Sequence, residues 1–286
     1  MEVKNIFVVG AGLMGSGIAQ TAIVSGFKVT LNDQRVEALD RAHDGIAKNL
    51  NREVEKGRMS QEDCDAAIAR LSTSASMQPA KDADLVIEAI AEDPKQKDAF
   101  YAELAKYLPE STILVTNSST LLPSQIAAST GRPEKFLALH FANRIWRNNT
   151  AEVMGHPGTD QAAYDEVVRF AADLGMVPLQ LHKEQPGYIL NSMLVPFLNA
   201  AEALYATGVA DPETIDKTWM LGTGAPLGPF RILDIVGLTT AYNIVVLDPR
   251  TKDPDSVPAK IAAALKERID AGKTGVDAGE GFYRYN

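Results

Sequence analysis

The stretch Ile6-Phe7-Val8-Val9-Gly10-Ala11-Gly12-Leu13-Met14-Gly15-Ser16-Gly17-Ile18-Ala19 runs apolar, breaks into clustered glycines and resumes with helical character. It reads as strand, tight turn and helix. Gly10 permits the sharp turn, Gly12 lets a pyrophosphate approach backbone N–H groups at the helix N-terminus, and Gly15 lets the helix pack closely on the strand. The turn from Gly10 through Ala11, Gly12, Leu13 and Met14 to Gly15 therefore suits a dinucleotide. A glycine pattern alone is weak evidence, because glycine-rich turns are common. Its surroundings add weight: the helix continues to Val24 and leads through Gly26-Phe27 into a second strand, Val29-Thr30-Leu31-Asn32, ending at Asp33. An acid eighteen residues past Gly15 is placed to accept both hydroxyls of an adenosine ribose and to repel a 2′-phosphate, so NAD is the expected cofactor rather than NADP. Arg35 is the one neighbour that argues otherwise, and it reads as a solvated surface arginine.

A chain of 286 residues, 45% hydrophobic and 23% charged, is long enough for two average domains and a proper core. No apolar run reaches the length of a membrane span, and the chain starts directly with a strand, so a cytoplasmic protein without a membrane partner is expected. The single cysteine, Cys64, excludes an internal disulfide and any cysteine-rich metal site, and no metal is expected. A net charge of −9 disfavours nucleic acid and repels anionic ligands at long range, leaving phosphates to local basic residues and helix ends. Lys48, Arg52 and Lys56 supply such a ridge at four-residue steps along one helix face, which reads either as a phosphate contact or as a solvated face eased by Glu53 and Glu55.

Further along, Ser60 with Asp63 resembles a capping box for a helix to about Arg70. Asp84 to Ile90 reads as a buried parallel strand apart from Glu88, and Asp93-Pro94 as a helix cap with a first-turn proline, which brings Glu92 and Lys97 near that strand's carboxyl end. Helix (94 to 107), strand (112 to 115), turn (116 to 120), short helix (124 to 129) and strand (136 to 140) follow. Strands alternating with helices mean a doubly wound Rossmann-like sheet, and ligands collect outside its carboxyl edge. His140 falls at that edge, whereas the other three histidines lie in a helix (His43) or outside the alternating core (His156, His182). Interconverting an alcohol and a ketone by hydride transfer needs a group that takes the hydroxyl proton, and imidazole titrates in the useful range. Glu152 would orient the ring if the intervening residues reverse the chain; otherwise it is a surface acid on an antiparallel strand.

Taken together, the glycine turn with Asp33, Asn117-Ser118-Ser119, His140-Phe141-Ala142-Asn143 with Glu152, Gln185-Pro186-Gly187-Tyr188-Ile189-Leu190-Asn191, Pro226-Leu227-Gly228-Pro229-Phe230 and Gly279-Glu280-Gly281-Phe282-Tyr283 resemble the 3-hydroxyacyl-CoA dehydrogenase family over nearly the whole chain. The resemblance implies NAD-dependent interconversion of an L-3-hydroxyacyl thioester and its 3-oxoacyl form. It implies His140 as general base, Glu152 as its partner, and Ser119 and Asn191 as hydrogen-bond donors to the reacting oxygens. Glu92, Lys97, Ser119 and Asn143 fall on the family's NAD-contacting positions, and Arg52 and Lys56 on its basic CoA-binding positions.

The chain departs from the family pattern between His140 and Glu152, where Asn143-Arg144-Ile145-Trp146-Arg147-Asn148-Asn149-Thr150 replaces an Asn-Pro-Val start and an apolar approach. This loop is similar to that of bacterial diketoreductases, which act on compact oxo esters without CoA; Arg144, Trp146 and Arg147 would then line or close the pocket. Ser192, Arg231 and Asp277 likewise stand where the family usually has arginine, glutamate and lysine.

After a helix over 160 to 175 and a last strand over 177 to 181 the character changes. An apolar helix over 188 to 206, interrupted by Pro196, is followed by a capped helix from Asp211-Pro212, a helical run from Phe230 and a last helix over 257 to 271. The expected organisation is a dinucleotide-binding domain over 1–184 and a smaller all-helical domain over 185–286, which shapes the substrate cleft and pairs in a homodimer as the family does. Three functions fit in decreasing order: an NAD-dependent 3-hydroxyacyl-CoA dehydrogenase, the same mechanism on free 3-oxo or 3,5-dioxo acids and esters, and a dinucleotide-binding protein without turnover.

Overall fold

A computed structural model of the chain describes residues 3–142, 145–146 and 148–285. Asn143, Arg144 and Arg147, singled out above for the cofactor and the substrate pocket, lie outside the described residues. Two compact units result, Met1–Ile189 and Leu190–Asn286. In chain order the first contains β1 (Asn5–Val9), α1 (Leu13–Val24), β2 (Lys28–Asn32), α2 (Val36–Glu55), α3 (Gln61–Ile68), β3 (Leu71–Ser74), β4 (Leu85–Glu88), α4 (Pro94–Leu104), β5 (Ile113–Thr116), α5 (Pro123–Ile126), β6 (Phe136–Phe141), β7 (Thr150–Met154), α6 (Gln161–Asp173) and β8 (Val177–Leu181). The second contains α7 (Leu190–Ala206), α8 (Pro212–Thr223), α9 (Pro229–Val236), α10 (Leu238–Val245) and α11 (Val257–Asp270).

The eight strands form one sheet in the order β3-β2-β1-β4-β5-β6-β7-β8. The neighbours from β3 to β6 pair parallel, β7 runs antiparallel to β6, and β8 pairs parallel with β7. The order reverses at β1 and β4, which opens the crevice where doubly wound sheets bind ligands. Alternation along β1 explains the two layers. Ile6 and Val8 join Ile18, Leu31 and Leu39 on one face, whereas Phe7 and Val9 join Tyr101, Leu104 and Phe136 on the other. The mostly parallel sheet, with its helices and a separate helical unit, is the architecture expected from the alternating pattern.

Strand β3, Leu-Ser-Thr-Ser, was not expected; it is a short edge strand with little apolar signal. It is fastened at its end by the buried Asn32, whose amide donates to Ser74 O at 2.7 Å and Ser76 O at 3.1 Å. The expected caps are formed: Ser60 accepts from the Asp63 amide at 3.0 Å, and Asp93 accepts from the amides of Lys95 and Gln96 at 2.9 and 3.1 Å.

In the helical unit Leu198, Ile215, Phe230, Leu233 and Leu265 form the core. Two buried carboxylates fasten its loops. Asp216 accepts from the amides of Phe230 and Arg231 at 2.8 and 3.1 Å, and Asp234 from those of Phe282 and Tyr283 at 2.8 and 2.9 Å. A Cβ at Gly228 would lie 2.3 Å from the Asp216 carboxyl carbon, and one at Gly281 2.1 Å from an Asp234 oxygen. The Pro-Leu-Gly-Pro-Phe and Gly-Glu-Gly-Phe-Tyr motifs are thus the two glycine approaches to these carboxylates.

Candidate active site

The glycine turn sits between the carboxyl ends of β1, β2 and β4. Gly10 has φ +100°, and its amide donates to Asn32 O at 2.7 Å. A Cβ there would lie 2.4 Å from Ala89 O, and one at Gly15 would lie 1.7 Å from Gly10 O, so both positions require glycine. Gly12 differs: a Cβ would meet no protein atom within 4 Å, so packing does not explain it. Gly12 also starts α1 without a side-chain cap, which leaves the first-turn N–H groups for an anion. This cradle fits the pyrophosphate of a dinucleotide, and Asp33 suits its ribose.

Asp33 is held at both oxygens. One accepts from the Ala11 amide at 3.0 Å, and the other from the Arg35 amide at 3.0 Å and its guanidinium at 3.3 Å. Burial pushes the carboxyl up, but these hydrogen bonds and the Arg35 charge outweigh it and hold it below the usual carboxylate range. Arg35 is spent on Asp33, which leaves the ribose position acidic and suits NAD.

Beside the turn lies a cavity of about 240 Å³ bounded by Met14, Glu88 to Ile90, Glu92 and Asn117 to Thr120. Glu92 accepts there from the hydroxyl of Ser118, from Thr120 N at 2.9 Å and from Thr120 Oγ1 at 2.8 Å. Burial raises its carboxyl, yet these donors and the Lys97 charge bring it below the ordinary value. Lys97 does not reach the cavity itself. It is fully buried, its amine 2.5 Å from Glu88 and 3.5 Å from Glu92, so its charge meets a ligand through Glu92. Glu88, the polar exception in β4, takes Lys97 and Ile90 N on one oxygen and Thr116 Oγ1 and Tyr101 OH on the other. Sequence reasoning left Glu88 without a role, although a lone carboxylate in a buried strand signals a partner elsewhere.

Strand pairing brings the remaining groups together. In the antiparallel β6–β7 register His140 stands directly opposite Glu152. Its Nδ1 lies 3.0 Å from Glu152 Oε2 and its Nε2 3.0 Å from Ser119 Oγ. Both His140 and Glu152 are buried, whereas Ser119 is exposed at the end of β5. The other Glu152 oxygen accepts from Ile189 N at 2.8 Å. A carboxylate on Nδ1 sets the tautomer that leaves Nε2 free to accept a proton. Asn117 secures the strand end by accepting from Phe141 N at 3.0 Å.

The other residues read from the sequence stand on other elements. Asn191 is in the first turn of α7, in the helical unit. Arg52 stands in the last turn of α2 and Lys56 is its C-cap; both are exposed, and neither has a carboxylate within ion-pair reach among the described residues. Glu53, expected to ease them, makes its ion pair with Arg58 and also feels the charges of Lys56 and Arg52. Ile145 is buried and Trp146 half exposed, both packed at Gly17 of α1. Tyr188, within the Gln185 to Asn191 motif, stacks its ring on that of His140 with centroids 4.3 Å apart.

Residues 5–185 match the model of the 3-hydroxyacyl-CoA dehydrogenase NAD binding domain, and residues 187–285 that of the 3-hydroxyacyl-CoA dehydrogenase C-terminal domain. The chain belongs to the 3-hydroxyacyl-CoA dehydrogenase family. A probable 3-hydroxybutyryl-CoA dehydrogenase of Bacillus subtilis is 36% identical over 100% of this chain and 98% of its own length. Among solved structures, a diketoreductase described as acting on dicarbonyl compounds is 50% identical with a TM-score of 0.92, each chain covered in full. The (S)-3-hydroxybutyryl-CoA dehydrogenase of Ralstonia eutropha is 30% identical with a TM-score of 0.86, again over the whole of both chains. As a 3-hydroxyacyl-CoA dehydrogenase family member, the protein is an NAD-dependent oxidoreductase acting on CH–OH groups. Among the described residues no helix is long and apolar enough to cross a membrane.

Proposed function

We propose that this dehydrogenase interconverts an L-3-hydroxyacyl thioester and its 3-oxoacyl form through His140. The observation that carries the reading is the imidazole with one nitrogen on Glu152 and the other on the exposed Ser119 hydroxyl. When bound, NAD supplies the hydride chemistry. In the oxidation His140 Nε2 takes the substrate hydroxyl proton, and Glu152 stabilises the imidazolium that results. Ser119 and Asn191 donate hydrogen bonds to the reacting oxygens. Gly10 to Gly15 and Asp33 bind the pyrophosphate and ribose, and Glu92, held by Lys97, and Asn143 complete the cofactor site. Arg52 and Lys56, both exposed, suit the phosphates of CoA.

The protein works in the cytoplasm as a homodimer, with residues 1–184 serving the cofactor and residues 185–286 shaping the substrate cleft and the dimer contact. A second reading, the same chemistry on compact oxo esters, is favoured by the identity with the diketoreductase and by the Arg144 to Asn149 loop. One comparison separates the two. NADH oxidation is followed with acetoacetyl-CoA and with an acetoacetate ester, for the parent, His140→Gln and the double variant Arg52→Ala/Lys56→Ala. His140→Gln should lose about a hundredfold to ten-thousandfold in kcat on either substrate. A CoA enzyme loses affinity for acetoacetyl-CoA in the double variant; an ester reductase keeps its best turnover. Near-parental kcat in His140→Gln overturns the assignment.

A further inference from the structure

Hydrogen bonds at its two nitrogens reach the His140 ring at its edge, and neither bears on its face. Tyr188 meets the ring's face. The two rings are nearly parallel, 13° apart, with Tyr188 buried to 1% exposure. It is the only non-glycine residue with positive φ among those described, at +54°, directly after Gly187 at +77°. A left-handed backbone is unfavourable for a tyrosine and persists only where its surroundings demand it. Here the turn sets three contacts at once. The Tyr188 ring covers the imidazole, the Tyr188 hydroxyl donates to Ser118 O at 2.7 Å, and the next amide, Ile189 N, donates to Glu152.

We propose that Tyr188 is a positioning residue of the reaction, its ring fixing the His140 plane between Ser119 and Glu152 and its hydroxyl holding the Ser118–Ser119 turn. This rests on the reading of His140 as the proton-transferring group. Tyr188 also fills a small apolar cluster with Ala138, Met154 and Leu181. Filling alone requires neither a left-handed backbone nor a hydroxyl aimed at a backbone carbonyl, nor a flat stack, since edge-on contacts fill space equally well. Burial and the carboxylates of Glu92, Glu152 and Glu88 raise the Tyr188 hydroxyl above its ordinary range, so it stays protonated and donates. The electron-rich face also favours the imidazolium formed when His140 takes a proton.

The test is a mutant cycle in the full-length protein with NADH and acetoacetyl-CoA or the acetoacetate ester, whichever turns over faster. Tyr188→Leu and the unbranched Tyr188→Met remove the flat ring, and Tyr188→Phe keeps it without the hydroxyl. Each is made in the parent and in His140→Gln. In the parent, Leu and Met should lower kcat about 10- to 100-fold while KM for NADH stays within about twofold, and the isotope effect from dideuterated NADH should rise as chemistry becomes limiting. Phe should lose less than about fivefold, so that the ring accounts for most of the rescue. In His140→Gln the same changes should add no more than the Phe variant's loss of less than about fivefold, because the stacked imidazole is no longer present and only the hydroxyl's hold on the Ser118–Ser119 turn is left to lose. Equal losses in both backgrounds overturn the proposal, as do Leu and Met variants with near-parental kcat. Loss of NADH binding in both, with Phe at parental kcat, also overturns it, since a core residue behaves that way. Near-parental turnover of His140→Gln defeats the reading of His140 instead, whatever the Tyr188 variants do.

Discussion

At the scale of single residues, twelve positions separate His140 from Glu152 and nothing in that number gives a distance. The antiparallel register supplies it, by setting the two side chains opposite each other in adjacent strands. His140 was legible because it ends a strand at the ligand-binding edge, and Asp33 because it ends the second strand of a glycine-turn unit. Glu152 needed a chain reversal that no turn signature announced, and Tyr188 needed a left-handed tyrosine, a conformation no propensity argument selects. The consequence of the pairing is specific. Glu152→Gln offers Nδ1 a group that donates as well as accepts, so the imidazole loses both its fixed tautomer and its counter-charge. The expected result is a fall in kcat of about a hundredfold or more with KM for NADH little changed, read from steady-state NADH oxidation.

At the scale of elements, β4 and α4 are joined by a pair of charges that water does not reach. Glu88 and Lys97 are both fully buried, nine positions apart, and Thr116 of β5 and Tyr101 of α4 satisfy the second carboxylate oxygen. The same Thr116 hydroxyl accepts from Ser118 N at 3.1 Å, so the network also anchors the turn that presents Ser119. The sequence displayed the strand, its cap and its proline, because those depend on neighbouring residues. It did not display the pair, because partnership across a sheet depends on topology. Nor did it display β3, whose alternating serines and threonine look like a loop, or the start of α7 at Leu190, because residues 185 to 189 are held by the sheet unit through Tyr188 and Ile189. Removing one charge of a buried pair leaves the other without compensation. Glu88→Gln is therefore expected to lower stability by about 3–5 kcal/mol, measured by urea unfolding, with Lys97→Met in the same background restoring part of the loss.

At the scale of the whole molecule, both units are built on the same rule, that an acid kept from water is surrounded by donors, and one acid departs from it. Glu202 in α7 is buried, with Oε1 lacking a hydrogen-bond partner among the described residues. Asp216 and Asp234 in the same unit each accept from two backbone amides. Burial alone pushes the Glu202 carboxyl up to about 7. Its ordinary value in an unfolded chain is 4.5, so between these limits the folded molecule binds a proton that the unfolded one has released. Stability from this group is complete below the unfolded value and falls as pH rises through about 7, opposite to an acid whose carboxyl is depressed on folding, such as Asp33 or Glu92. The 2.5-unit span from 4.5 to 7 corresponds to a loss on the order of 3 kcal/mol. Glu202→Gln removes the titration without removing the side chain's bulk. In a Trp146→Phe background, Trp219 remains the one tryptophan and reports on the helical unit. The Gln variant should melt with its parent near pH 4 and roughly 10 °C above it at pH 8. Parallel melting curves at both pH values would mean that Glu202 is solvated at neutral pH.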